Sequence, residues 1–255
     1  MKELNTQELL QYFINYSHMS KSIIGKIGSV NTFEMLYTKN VFTHIDNYYI
    51  NSIAGNQIYK RMMAIESHIP QYLSDYSKNN ELLIDNIGSG SGREMINILK
   101  KHTSLISQVK IRNIDPDPEA IAISRYLADC NKLSNCFEHI PDKFENVENR
   151  NVDIILLIGM LCPLSISLSK KIISKLYSFL KIGGLLIYST ALNKMCYDDP
   201  FLDFLMRYHG WNMSYKTVDE SILIATSSGF ELINVFFDEP YHHHSIIICK
   251  KIQKN

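Results

Sequence analysis

The sequence has no excess of charge of either sign: Lys+Arg and Asp+Glu number 26 each in 255 residues. A nucleic-acid binder ordinarily carries a basic surplus that draws phosphates, so the balance points away from DNA and RNA as partners. CxxC spacing is also absent. The five cysteines, Cys130, Cys136, Cys162, Cys196 and Cys249, are odd in number and scattered. That pattern argues against a disulfide framework or a zinc knuckle and implies buried thiols in a reducing cytosol. The first ten residues are charged and lack the apolar stretch of a signal peptide. The longest apolar run, Val152 to Leu168, contains Pro163 and two serines, and it reads as a buried strand plus loop rather than a membrane span. The expected location is the cytoplasm, away from membranes. No internal repeat or low-complexity segment is visible.

What is present is enough apolar material, 45% of residues, to fill one large α/β domain and an appendage. Residues 1–80 are expected to form a helical cap. Leu9, Leu10, Phe13 and Ile14 fall on one helical face, and Ile58, Met62, Ile65 and Ile69 form a second stripe. Pro70 is expected to break or kink the second helix. The segment is rich in tyrosine (Tyr12, Tyr16, Tyr37, Tyr48, Tyr49, Tyr59, Tyr72, Tyr76). These rings either pack on the main domain or line a pocket beneath a lid.

From residue 81 short strand-like runs alternate with helical patterns. Leu82–Ile87 reads as a strand, Arg93–Lys101 as a helix and Val109–Ile114 as the next strand. A helix follows with an apolar face of Ile123, Tyr126, Leu127 and Cys130, then a weaker strand near Asn135–Ile140. Val152–Ile158 reads as a strand covered on both faces. The next helix shows Ile172, Leu176 and Phe179, with Gly183-Gly184 as its C-terminal stop, and Leu185–Ser189 as the strand after it. Thr217 and Glu220 form a capping box. Strands starting at Gly229-Phe230 and covering Ser245–Lys250 are too close together for a helical crossover and should pair antiparallel. The expectation is a doubly wound α/β fold over residues 81–255, with a mostly parallel seven-stranded sheet, its last strand antiparallel, and right-handed crossovers.

Two motifs carry chemistry. Leu82–Ile87 delivers the chain into Gly88-Ser89-Gly90-Ser91-Gly92, and a helix then begins. Such a turn lets backbone approach a ligand closely beside the free N–H groups of a helix N-terminus. The second strand ends in Ile114-Asp115-Pro116-Asp117-Pro118. Asp115 stands where a carboxylate can accept both hydroxyls of a ribose, 25 residues beyond Gly90, against a spacing of about 20 in dinucleotide folds. Asp117, followed by proline, reads as a helix N-cap.

Together these segments resemble the class I S-adenosylmethionine-dependent methyltransferases, over about residues 81–252. The glycine turn looks like the first motif of that family and Asn113 to Ala120 like its second. Val152 to Leu161 resembles the fourth-strand motif, whose end lies beside the methyl donor. Leu180 to Tyr188 resembles the entry into the fifth strand, Thr217 to Glu231 the helix and Gly-Phe before the sixth, and the final hairpin the reversed seventh strand. The resemblance implies S-adenosylmethionine as cofactor. It assigns cofactor contacts to Asn86, Gly88, Ser89, Gly90, Gly92, Asp115, Pro116, Ile158, Gly159 and Met160, with Asp142 as a candidate for the adenine amino group. Family members carry an acidic residue where Asn86 stands. Asp85 is one place early, so its side chain should point to the opposite face of the strand.

Methyl transfer asks the protein mainly for in-line positioning and exclusion of water, and for a base only if the acceptor must lose a proton. Candidates for that base are His209, His242, His243, His244 and Tyr197. Three successive histidines on a strand alternate faces and cannot converge on one ion, so no metal is expected. They read as a solvated hairpin loop, with one of them, or Tyr241, at the pocket mouth. The stretch after the fourth strand, Ile158 to Cys162, lacks the Asn/Asp-Pro-Pro-Tyr type of motif of nucleic-acid amine methylases. The acceptor is therefore expected to be a small molecule. Two alternatives stay open: a cofactor-binding interaction protein without catalysis, suggested by Asn86, and an aminopropyl-type transferase using a decarboxylated cofactor. A nicotinamide dehydrogenase fits least, because Arg93 occupies the place of the last glycine of G-x-G-x-x-G.

Overall fold

The computed structural model describes residues 5–77 and 81–253; the expected boundary at residue 80 lies outside the described residues. Five helices come first: α1 (Thr6–Tyr16), α2 (His18–Gly25), α3 (Val30–Thr38), α4 (His44–Asn51) and α5 (Ile53–Tyr76). Each starts on an Asn, Ser or Thr whose side chain accepts a backbone N–H: Asn5, Ser17, Ser29, Thr43 and Ser52. These caps are the local reason why four such short segments stop and restart as separate helices.

The alternating part follows as β1 (Leu82–Ile87), α6 (Arg93–Lys101), β2 (Val109–Ile114), α7 (Pro118–Cys130), β3 (Phe137–Ile140), β4 (Val152–Leu157), α8 (Ile166–Leu176), β5 (Leu180–Ala191), α9 (Lys194–Asp198), α10 (Pro200–Tyr208), α11 (Val218–Thr226), β6 (Phe230–Phe237) and β7 (His244–Lys251). The strands form one seven-stranded sheet in the order β3-β2-β1-β4-β5-β7-β6. Neighbours are parallel except that β7 runs antiparallel to both β5 and β6. The expected architecture and the antiparallel hairpin are both present.

Strand alternation divides the sheet into two faces. Ile84, Ile154, Leu156, Ile187 and Ile248 pack with Ile65, Ile69 and Leu73 of α5 and Met95 and Leu99 of α6. Ile155, Leu157, Leu186, Tyr188 and Ile247 pack with Ile173 of α8 and Ile224 of α11. A third core joins the first helices to the segment after β5: Leu10, Ile23, Leu36, Tyr49, Ile50, Ala54 and Ile58 meet Ala191, Met195, Leu202, Leu205 and Trp211. The cap is thus built from two stretches of chain, because α9 and α10 return to cover the N-terminal helices.

Several local expectations are corrected. Helix α5 runs on through Pro70, and its stripe of Ile58, Met62, Ile65 and Ile69 is buried as expected. Leu9 is exposed and Leu10 alone is buried on α1. Helix α7 buries Ala120, Ile121, Ser124 and Ala128, leaving Tyr126 and Cys130 in solvent; small residues on the buried side let α7 lie close to the sheet, so the bulkier side chains face outward. Gly183 and Gly184 end no helix. Helix α8 has stopped at Leu176, and both glycines lie inside β5, where a Cβ on Gly184 would meet the Asp153 carbonyl oxygen at 2.8 Å. All five cysteines are free, with Cys136, Cys162 and Cys249 buried. No helix among the described residues is long and apolar enough to cross a membrane.

Asp85 and Asn86 face opposite sides of β1. The Asp85 carboxylate is buried and held from both sides of the Arg112 fork, Nε to Oδ1 and Nη2 to Oδ2 at 2.7 Å each. Breaking such a pair strands a buried charge, so Asp85→Asn is expected to lose about 3–5 kcal/mol of stability. Denaturant unfolding measures that loss, and a variant within 1 kcal/mol of the parent, by the same yardstick, would contradict a structural role for the pair.

Candidate functional site

The loops at the C-terminal ends of β1, β2 and β4 open onto a cavity of about 620 Å³, within the range of small-molecule sites. Its floor is the glycine turn. Gly88, Gly90 and Gly92 all take positive φ, at 63°, 52° and 64°. At Gly92 a Cβ would strike Asn113 Nδ2 at 2.6 Å, whereas at Gly90 it would meet nothing within 4 Å. Gly92 is therefore demanded by the packing of α6 on β2, and Gly90 leaves backbone open to the cavity. Ser89 adds a buried hydroxyl with no partner among the described residues.

Asp115 ties β2 to this turn. Its Oδ2 accepts the Gly90 N–H and its Oδ1 the Asp117 N–H, each at 2.9 Å. Burial pushes its carboxyl above the usual range, and those two N–H groups oppose the rise. Each oxygen keeps a further lone pair for a ligand. Asp117 is the N-cap of α7, with Pro118 in the first turn. Asn86 donates to Asn113 Oδ1 at 3.0 Å and Asn113 to Ser124 Oγ at 2.8 Å, a neutral chain that fixes the Asn86 amide at the cavity wall. Ile158, Gly159 and Met160 form the facing wall, with the Gly159 N–H held by Ser189 Oγ at 2.8 Å.

Of the residues singled out from sequence, the cavity brings together Asn86, Gly88, Ser89, Gly90, Asp115, Pro116, Ile158, Gly159 and Met160, with Gly92 directly behind. It does not bring Asp142, whose carboxylate accepts from Lys143 N–H and Asn146 Nδ2 in a surface turn. Tyr197 is 78% exposed and off the wall. His209 is buried in the cap between Tyr49 and Ser20. His242 lies on the surface, stacked on Phe237. The hairpin is not a solvated loop throughout: His243 and His244 are 0% and 1% exposed, because Asp198 and Asp238 draw their rings inward. Among the described residues no cluster of His, Cys, Asp or Glu is placed to hold a metal ion.

Among the described residues, His244 is the histidine on the cavity wall. Its Nδ1 lies 2.7 Å from Asp238 Oδ2, and Asp238 Oδ1 accepts the His244 backbone N–H at 2.7 Å. Burial alone would raise Asp238, but His244 and His243 outweigh it and keep the carboxyl below its ordinary value. An ionised carboxylate only accepts, so Nδ1 carries the hydrogen and Nε2 keeps its lone pair. Burial, with Arg61 and His243 adding to it, holds the His244 imidazole below its usual pKa against the pull of Asp238. The ring is neutral near pH 7 and its free nitrogen can take a proton.

Sequence reasoning missed the inner end of the cavity. Arg61 of α5 donates from Nη2 to Tyr37 Oη at 3.0 Å, and Tyr37 donates on to Glu94 Oε1 at 3.0 Å. A signal existed: Arg61 interrupts the buried stripe between Ile58 and Met62, a place where an unpaired cation is costly. The remaining wall comes from the cap, with Phe33, Met195, Met206, Trp211 and Met213.

A mixed sheet of this order, with a glycine turn after its first strand and an acid ending its second, defines the S-adenosylmethionine-dependent class of α/β methyltransferases. Residues 77–223, more than half of the chain, match the family model of a methyltransferase domain, and the chain belongs to that family. Among solved structures, a protein of Bordetella parapertussis described as a possible exported protein superposes with a TM-score of 0.81 at 14% identity, covering 97% of this chain and 87% of that one. Magnesium protoporphyrin IX methyltransferase from Synechocystis PCC 6803, with bound S-adenosylhomocysteine, gives 0.66 at 11% identity, covering 91% and 99%. The S-adenosylmethionine-dependent methyltransferase SibL gives 0.62 at 12%, covering 97% and 74%. At such identities the likeness speaks for the fold. No curated protein matches the chain by sequence.

The state of His244 has a pH signature. In the unfolded chain an imidazole takes its proton near pH 6.5; folded His244 takes it at lower pH. Between those values the unfolded chain binds more protons, so stability is full above the unfolded value and falls as pH is lowered through this window. His139 and His209, also lowered by burial, act in the same sense. The expected outcome is a melting temperature that drops from pH 7 to pH 5, with a smaller drop in His244→Gln. Equal drops in both proteins would show that His244 is not held neutral.

Proposed function

We propose that this methyltransferase acts on a small molecule enclosed between the glycine turn and the helical cap. The observation that carries the reading is that one cavity is lined both by the turn with Asp115 and by Phe33, Trp211 and the methionines of the cap. An apolar, roofed chamber suits a compact acceptor better than a polymer. The cofactor fits the first part of the cavity: Gly90 leaves room for it and the orphaned Ser89 hydroxyl wants a partner. In this reading Asn86, Gly88, Ser89, Gly90, Asp115, Pro116, Ile158, Gly159 and Met160 touch the cofactor, and Gly92 shapes the turn. Asp115 accepts from the ribose hydroxyls.

When bound, S-adenosylmethionine supplies the methyl group as an activated sulfonium. The chain's own residues position the acceptor, exclude water and take its proton. His244 Nε2 is the acceptor of that proton, and Asp238 holds the ring and steadies the resulting imidazolium. Residues 5–77 act as the lid. Lys26 pairs with Asp117 at 2.6 Å, Asn31 donates to Glu119 at 2.9 Å, and Glu34 meets both Ser91 and Arg93. All four contacts bridge the cap to the turn, α6 or α7. The free thiols support a cytoplasmic location.

Calorimetry on the whole protein tests the site. S-adenosylmethionine and S-adenosylhomocysteine are expected to bind, and Asp115→Ala to lose about 1.5–3 kcal/mol of that affinity, the range of a hydrogen bond to a charged group. Asp117→Ala should instead cost about 1 kcal/mol of stability as a lost cap. Tight binding of NAD with neither sulfur nucleoside bound would sink the reading.

A further inference from the structure

We propose that Arg61 is a carboxylate anchor at the inner end of the cavity, an inference that rests on the cofactor-site reading above. Arg61 lines the cavity and is only 3% exposed. Its guanidinium carries five N–H donors, yet among the described residues the one oxygen it donates to is Tyr37 Oη, from Nη2, with the Cys162 thiol as its other side-chain partner. Its Nε is buried without any partner. Native structures rarely leave a buried guanidinium so poorly served, because removing the charge from water costs several kcal/mol unless an anion and further hydrogen bonds offset it.

The neighbours on each element packed around Arg61 do not supply that anion directly. From α3, Tyr37 is held neutral by burial. From the turn after β4, burial raises the Cys162 thiol, and Gly159 offers no side chain. From β7, His244 is neutral and its Asp238 is already committed. From α6, Glu94 reaches the cluster only through the Tyr37 hydroxyl, and burial raises its own carboxyl. A Cβ at position 159 would sit 3.3 Å from both Nη1 and Nη2, so glycine there lets the guanidinium plane lie against the turn beside the cofactor wall. A planar fork with free donors at a cavity wall matches a carboxylate, which it can bind in bidentate fashion. Two carboxylates could fill the role: that of the amino-acid end of the methyl donor, or that of an acidic acceptor.

The experiment separates these sources with the full chain. S-adenosylhomocysteine and 5′-deoxy-5′-methylthioadenosine, which share the nucleoside thioether but differ in the amino-acid end, are titrated into the parent, Arg61→Met and Arg61→Lys. Benzoate and its neutral counterpart benzamide are then titrated into each protein saturated with S-adenosylhomocysteine. Arg61→Met should fold, since an apolar chain of similar length replaces a poorly paired buried charge. Arg61→Lys, which keeps the charge, is the second variant should it not. If the donor's carboxylate is the ligand, Arg61→Met weakens S-adenosylhomocysteine by about tenfold or more, a charge-assisted bond's worth, and leaves methylthioadenosine unchanged. If an acidic acceptor is the ligand, S-adenosylhomocysteine affinity is unchanged and the loaded parent binds benzoate over benzamide, a preference that Arg61→Met erases. In either case Arg61→Lys is intermediate. Unchanged S-adenosylhomocysteine affinity together with indifference to benzoate and benzamide overturns the anchor. Failure of the parent to bind either nucleoside overturns the cofactor site itself, and the anchor with it.

Discussion

One helix fixes the relation between the cap and the sheet. α5 spans 24 residues, about 36 Å at 1.5 Å per residue, and its single apolar stripe belongs to two cores. Ala54 and Ile58 sit in the core of the cap, and Ile65, Ile69 and Leu73 in the core against the sheet. Moving the helix to suit one layer would open voids in the other, and close-packed interiors tolerate that poorly. Arg61 lies between the two sets, where the layers part and the cavity begins. The place of the cation in the site follows from the length and register of α5 rather than from any local motif.

The two halves of the cap are held by unlike forces. Its interior is apolar, with Leu10, Ile23 and Leu36 packed on Leu202, Leu205 and Trp211. Its edge above the glycine turn is polar: Lys26 to Asp117, Asn31 to Glu119, Glu34 to Arg93. The Lys26–Asp117 pair, with its exposed lysine, contributes about 0–1 kcal/mol and weakens with salt, whereas Glu34 and Arg93 are largely buried, at 18% and 20% exposed. The apolar half seats the cap on the segment after β5, and the polar half ties its edge to the glycine turn, α6 and α7.

Most of the sheet was legible in the sequence because its signals are local. Val152–Leu157 is apolar on both faces apart from Asp153, the Gly88–Gly92 turn alternates glycine with serine, and Thr217 with Glu220 caps α11 as expected. The faces of Asp85 and Asn86 were legible from strand periodicity, and Asp115 from its place just beyond the end of β2. The illegible parts depend on distant pairing. Nothing near His244 announces that Asp238 will turn its ring inward. Nothing in the segment after β5 announces two helices that roof the cap. Lys216 looks like a surface lysine, yet its Nζ is buried against the carbonyls of Leu161, Leu164 and Ser214, where it ties down the loop after β4. Arg61 was the one long-range feature that left a trace, as a charge within an apolar stripe.

Charge on the cavity wall resolves the oddity of Asn86. Where relatives are expected to place a carboxylate, this chain has a neutral amide, which should disfavour a methyl donor of net positive charge. The wall as a whole compensates. Its carboxylates are Glu94, Asp115, Asp117 and Glu145, against the cations Lys26, Arg61 and Lys143, with His244 neutral. One negative charge is left over, and Lys26 is already spent on Asp117. Across the cavity, that residual charge acts over the whole ligand rather than at one contact. A donor carrying a sulfonium, an ammonium and a carboxylate is matched by a wall with a small negative surplus and one poorly paired guanidinium. Restoring an acid at position 86 would add attraction for the cation, but it would also put a further carboxylate on the wall that holds Asp115, whose own ionisation burial already opposes.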